Sequence, residues 1–179
     1  LALLFPGFKN EKGKDIFRLL VHHWVPDESI IERWQEDKVP YPIWRDQGWI
    51  KVTEGPTTRY DIIRADINEL AGIYDIKELA VDRMHAHQLM VQLSDDGLNV
   101  VKHAQTMNEM NFPCRSFEEL ILQEALEVNK NPLFEWQVGN AAIITNGNGD
   151  IKVMKNRSRG RVDGVVAAVM ATGRCLISP

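Results

Sequence analysis

The stretch from Lys155 to Gly173 holds the residue types that phosphodiester chemistry requires. Lys155, Arg157, Arg159 and Arg161 place four positive charges in the seven positions 155–161, and Asp163 follows at the mouth of a run of small apolar residues that reads as a helix. Hydrolysing a phosphodiester needs donors for the phosphate oxygens and a carboxylate-bound metal that activates water. The simpler use of Asp163 is as an N-cap, satisfying first-turn amides with no part in chemistry, and taken alone the residue favours that use. A second acid is therefore required. Asp82 stands at the end of a predicted parallel strand, where open α/β sheets place side chains that handle ligands, although it too could cap the following helix. Together the two suggest a hard-cation site, because Mg²⁺ is held through one or two carboxylates, substrate phosphate and water.

Other chemistry finds less support. His22 and His23 alternate on a strand, and His85 and His87 lie two apart on a helix, so neither pair converges on zinc. The sequence has no Gly-x-x-x-x-Gly-Lys-[Ser/Thr] for an ATPase, and no Ser or Cys stands in a nucleophile setting. Cys114 and Cys175 lack metal-ligand spacing and read as reduced structural thiols. With 179 residues, 44% of them hydrophobic, the sequence suits one domain, 1–179. No run approaches the roughly 20 apolar residues of a membrane span, and Leu1–Phe5 is too short for a signal core, so a cytosolic protein is expected. The net charge of −4 does not announce nucleic-acid binding, which leaves the local basic segment to carry it.

The elements that must position these residues follow from periodicity and punctuation. Leu1–Phe5 and Ile16–Val25 read as an antiparallel hairpin around a polar Gly/Lys/Asn turn. After Pro26-Asp27 comes a short helix with Ile30, Ile31 and Trp34 on one side. Val39–Gly48, with two prolines, Tyr41 and Trp44, fits a packed connection, and Ile50–Thr53 a brief strand. A helix started by Thr58 and Asp61 buries Ile63, Ile67, Leu70, Ala71 and Tyr74. Strand Ile76–Val81, helix Met84–Asp96 and strand Leu98–Val101 follow, implying parallel pairing with a right-handed crossover. Thr106–Pro113 reads as a polar loop before a helix capped by Ser116 and Glu119. Asn131-Pro132 opens a segment through Trp136 toward Asn140, Ile143–Val153 is a hairpin, and Gly164 to about Cys175 is a buried helix.

The chain resembles the nuclease domain of the large terminase subunit of tailed bacteriophages. The resemblance is carried by Phe17–Pro26 (FRLLVHHWVP), Val39–Gly48 (VPYPIWRDQG), Ala80-Val-Asp82-Arg83, Glu118-Glu-Leu-Ile, Asn131-Pro132 with Trp136 and Asn140, and Lys155 through Gly164. It implies a ribonuclease H-like α/β fold, a mixed β-sheet flanked by helices on both faces. The implied activity is endonucleolytic cleavage of double-stranded concatemeric DNA during packaging, with one or two Mg²⁺ or Mn²⁺ ions as cofactor. Asp82 and Asp163 match the second and third acids of the family's metal site. Lys155, Arg157, Arg159, Arg161 and Arg83 are then the expected DNA contacts, giving weak sequence preference and strong salt dependence.

The implied partners are double-stranded DNA, a terminase ATPase domain, a small terminase subunit and a portal, in the cytoplasm of a bacterial host and with no membrane. The family's first acid lies in an Asp-Leu-Ser-like central strand upstream of the position of Leu1, and this sequence does not carry it. That departure leads to expectations of weak metal affinity, poor cleavage, and a sheet edge left open or covered by another copy. Two other readings fit the residues: a different polynucleotidyl transferase of the same fold, such as a transposase or resolvase, or a non-catalytic docking module using the Trp/Tyr-rich first third.

Overall fold

The structure is a computed structural model and describes residues 1–82, 86–155 and 160–177. It is mixed α/β, with seven α-helices and nine strands among the described residues. These group into two compact units: residues 1–22 with the chain from Gln105 onward, and His23–Ala104.

In the first unit, strands β1 (Ala2–Lys9) and β2 (Asp15–Val21) form the expected antiparallel hairpin, with Leu3 opposite Leu20 and Leu4 opposite Leu19. The turn is closed by Asn10, whose Oδ1 accepts from the Lys12 and Lys14 amides at 3.0 Å. The register slips between Phe5 and Phe8, where Gly7 has φ +86°, a conformation that glycine adopts without steric cost. Strand β7 (Leu126–Val128) pairs parallel to β2, placing Glu127 beside Arg18. The hairpin of β8 (Ile143–Thr145) and β9 (Ile151–Val153) forms where expected. Helix α7 (Asp163–Ile177) is apolar on nearly every side and packs on β1, on α5 (Met107–Leu122) and on α6 (Pro132–Asn140). Its Gly173 lets α5 come close, since a Cβ there would lie 2.9 Å from Cβ of Pro113.

In the second unit, β3 (Trp24–Pro26) pairs parallel with β4 (Lys51–Thr53), and β5 (Leu79–Asp82) pairs parallel with β6 (Val100–His103). Between β3 and β4 lie α1 (Ile30–Asp37) and α2 (Tyr41–Asp46). Helices α3 (Tyr60–Ile73) and α4 (His87–Asp95) are tied by Asp96, whose carboxylate accepts from Arg64 Nε and Asn68 Nδ2, both at 2.7 Å. Those donors hold the Asp96 carboxyl down at about 2.

Several elements differ from expectation. Ile16–Val25 is two strands, because the chain leaves one unit for the other after His22 and β3 takes a new partner in β4. Val39–Gly48 contains a helix, α2, with Pro40 as its N-cap and Pro42 in the first turn, where a missing N–H costs nothing. Tyr41 and Trp44 are buried against each other there, which removes them from any docking surface. Of the α1 residues expected on one inward side, Ile30 is buried while Ile31 and Trp34 are about half exposed. Helix α3 has Arg59 as its N-cap, with no side-chain cap, and Ile67 is its buried residue.

Thr106–Pro113 is helical. Thr106 is the N-cap, accepting from the Glu109 amide at 3.3 Å, and Pro113 sits inside α5 with its ring against α7. Ser116 is therefore a buried interior residue and not a cap. Helix α6 starts as expected, with Asn131 Oδ1 accepting from the Phe134 amide at 3.1 Å.

Candidate metal centre and nucleic-acid interface

Asp163 is the first residue of α7. The helix ladder opens one residue earlier, where the Val162 carbonyl accepts from the Val166 amide at 3.0 Å. Asp163 is thus not the N-cap that its position in the sequence suggested. The Gly164 amide donates to Oε1 of Gln137 on α6, at 2.6 Å. A helix start leaves four backbone N–H groups without helical partners; an N-cap side chain usually accepts from one of them, and Val162 has no side-chain acceptor to do so. Here a neutral amide from another helix takes that role.

The Asp163 carboxylate is exposed and lies 2.9 Å from the ammonium of Lys155, just past β9. The Lys155 pair leaves both side chains about half exposed or more, so it adds at most about 1 kcal/mol to stability.

The segment before Asp163 is clamped by α6. A Cβ on Gly160 would meet Asn140 Nδ2 at 2.7 Å and Trp136 Cζ2 at 3.1 Å, and Asn140 Nδ2 donates to the Arg161 carbonyl at 3.5 Å. Val162 is buried and Arg161 half-buried, so the backbone leading into α7 is seated from one side by three side chains of one helix.

Asp82 closes β5, half-buried, opposite His103 in the β5–β6 register. His103 is buried, with Nδ1 3.0 Å from the Ala104 carbonyl. The strand-end placement expected of Asp82 is observed. Asp82 and Asp163 belong to different units, and each is described within its own. Arg83, Arg157 and Arg159 lie outside the described residues. Of the expected site residues, the structure brings together Lys155 and Asp163.

The donor set suits a hard cation. Asp163 offers carboxylate oxygens and already carries a cationic group, the Lys155 ammonium, at ion-pair distance. Among the described residues no group of three or more His, Cys, Asp or Glu gathers into a metal cage. Mg²⁺ does not need one, since one or two carboxylates with water and phosphate suffice. Both cysteines are free and neither adjoins these acids in sequence; burial pushes both thiols up, which makes them poor nucleophiles at neutral pH. Sequence reasoning missed Gln137. The partial signal was the nearby pair Trp136 and Asn140, while the Gln137 contact joins positions 27 apart.

Comparison with known proteins gives a consistent picture. Residues 13–178 match the family described as "Terminase large subunit, endonuclease domain". The chain is 28% identical over 174 residues to the "Terminase, large subunit" of Enterobacteria phage HK97, covering 96% of this chain and 34% of that protein. It is likewise 28% identical over 160 residues to "Protein YmfN" of Escherichia coli (strain K12), covering 86% of this chain and 35% of that protein. The crystal structure of the HK97 bacteriophage large terminase superposes with a TM-score of 0.85 at 28% identity, over 96% of this chain and 36% of that one. The fold is the ribonuclease H-like α/β fold implied by the resemblance. The chain spans about a third of the length of the curated relatives it matches.

Proposed function

The chain belongs to the terminase large subunit, endonuclease domain family, and from that premise we propose that it hydrolyses phosphodiester bonds of double-stranded DNA in a divalent-metal-dependent reaction. The observation that supports this reading is the state of Asp163: an exposed helix-start carboxylate that is not the N-cap of its helix and is paired with the Lys155 ammonium. Asp82 and Asp163 are the proposed metal ligands. A bound Mg²⁺ or Mn²⁺ would lower the pKa of a coordinated water and neutralise charge on the phosphate. The protein's own residues do the rest. Lys155, released from Asp163, supplies a cation to the phosphate backbone; Arg161, with Arg157, Arg159 and Arg83, is proposed to hold the neighbouring phosphates and fix the strand. These contacts read the backbone and not the bases, so sequence preference is weak.

The biological substrate is proposed to be concatemeric viral DNA, cut at the start and end of packaging into procapsids, in the host cytoplasm. A terminase ATPase domain, small subunit and portal are the proposed partners there. Among the described residues no helix is long and apolar enough to cross a membrane.

The test is nicking of supercoiled plasmid with Mn²⁺, comparing the unaltered chain with Asp163→Asn. Cleavage is expected to disappear while stability moves by less than about 0.5 kcal/mol, as at other exposed sites. Retained cleavage with a loss of about 1 kcal/mol would restore the capping role and sink the catalytic one.

A further inference from the structure

We propose that His103 is a ligand of the same divalent ion as Asp82, coordinating through Nε2 and giving the site a preference for first-row transition metals over Mg²⁺. The inference rests on the metal-site reading of Asp82. In the parallel ladder of β5 and β6, Asp82 stands directly opposite His103. Residues paired across a ladder send their side chains to one face of the sheet, from strands about 4.7–4.9 Å apart. Val81 and Lys102, paired one position earlier, take the other face, where Lys102 is exposed. Asp82 and His103 also close their strands, at the carboxyl ends where open α/β sheets handle ligands. His103 is 7% exposed, while Asp82 is half-buried. The carboxylate and the imidazole thus leave the sheet together, within one compact unit of the chain.

The ring's other contact sets which nitrogen is offered. His103 Nδ1 lies 3.0 Å from the Ala104 carbonyl, which can only accept, so Nδ1 carries the hydrogen. The neutral ring then has its lone pair on Nε2, the arrangement in which a backbone carbonyl orients a metal-binding imidazole. Among the described residues no protein group hydrogen-bonds Nε2. A polar ring on a buried side chain needs a partner for each nitrogen, and a cation held by Asp82 would supply the second. Imidazole is a softer donor than carboxylate or water. Mg²⁺ favours oxygen ligands and keeps its waters, whereas Co²⁺ takes nitrogen readily and binds mixed nitrogen and oxygen sites more tightly than Mn²⁺. An imidazole beside the carboxylate therefore raises the affinity for Co²⁺ far more than for Mg²⁺.

The test is calorimetric titration of the chain and two variants with Co²⁺ and with Mg²⁺, thermal unfolding measured alongside. His103→Asn keeps an N–H near the place of Nδ1 for the Ala104 carbonyl and removes Nε2. Asp82→Asn removes the carboxylate. His103→Asn should weaken Co²⁺ binding by about tenfold or more, at least the loss that follows removal of a group one shell further out. Its Mg²⁺ affinity should stay within about twofold, because Mg²⁺ draws on oxygen ligands. Unchanged Co²⁺ affinity in His103→Asn, or equal weakening towards both ions, would overturn the ligand role. If Asp82→Asn binds both ions as the unaltered chain does, or if the unaltered chain binds neither, the metal-site reading fails and this proposal with it. A loss in Asp82→Asn with none in His103→Asn would leave that reading standing and sink this proposal alone. Should His103→Asn fail to fold, pulsed EPR of Mn²⁺ bound to the unaltered chain settles the matter. Nitrogen hyperfine coupling at the ion, lost in Asp82→Asn, is expected, and an all-oxygen spectrum would overturn the proposal.

Discussion

Lys155 and Asp163 form an ion pair at 2.9 Å across a highly exposed surface. A pair of that kind is worth at most about 1 kcal/mol. In the proposed metal site, Lys155 would be a counter-ion that a bound metal displaces. Lys155→Met should tighten Mn²⁺ binding by about two- to fivefold, the inverse of that small pair energy, and weaken DNA binding. An unchanged or weaker Mn²⁺ affinity in that variant would show that the ammonium does not compete. The type and place of both acids were legible in the sequence, since strand ends and helix starts announce themselves locally. That the helix would open at Val162, with its Gly164 amide met by Gln137, was not legible, because the Gln137 contact spans 27 residues.

The same contrast holds for the elements. Hairpins and Asn-capped α6 were readable because their signals lie within a few residues of one another. The start of α5 was also written locally, as Thr106 with Glu109, but Pro113 and a polar composition obscured it. A proline inside a helix costs about 3 kcal/mol in isolation, and the compensation is tertiary: its ring is received by Gly173 of α7. Gly173→Ala would drive a methyl into that rigid ring, with Cβ of Pro113 2.9 Å away, and should destabilise the chain by about 1–3 kcal/mol in chemical denaturation. No loss would mean that α5 and α7 have room to separate.

A second prediction at this scale concerns Asp96, whose carboxyl is lowered to about 2 by Arg64 and Asn68 between α3 and α4. A depressed carboxyl contributes stability that is present above its unfolded pKa of about 4 and lost as pH falls toward 2. Asp96→Asn should therefore narrow the difference in melting temperature between pH 5 and pH 2.5, and an unchanged difference would remove the tie from the account of acid sensitivity.

At the scale of the whole molecule, a net charge of −4 repels DNA overall, so the proposed DNA contact relies on the local positive charge of the segment 155–161. The strand pairing of β1, β2 and β7, and the division of the chain after His22, depend on contacts between residues far apart in sequence, which periodicity does not report. The central claim, that Asp82 and Asp163 serve one divalent ion, likewise joins residues 81 positions apart. A Mn²⁺ titration of the unaltered chain, Asp82→Asn, Asp163→Asn and the double variant tests it most directly. Each single change should weaken binding by about tenfold or more, and the double should be little worse than the weaker single, since two ligands of one ion lose it together. Single variants that bind Mn²⁺ as tightly as the unaltered chain would contradict the account.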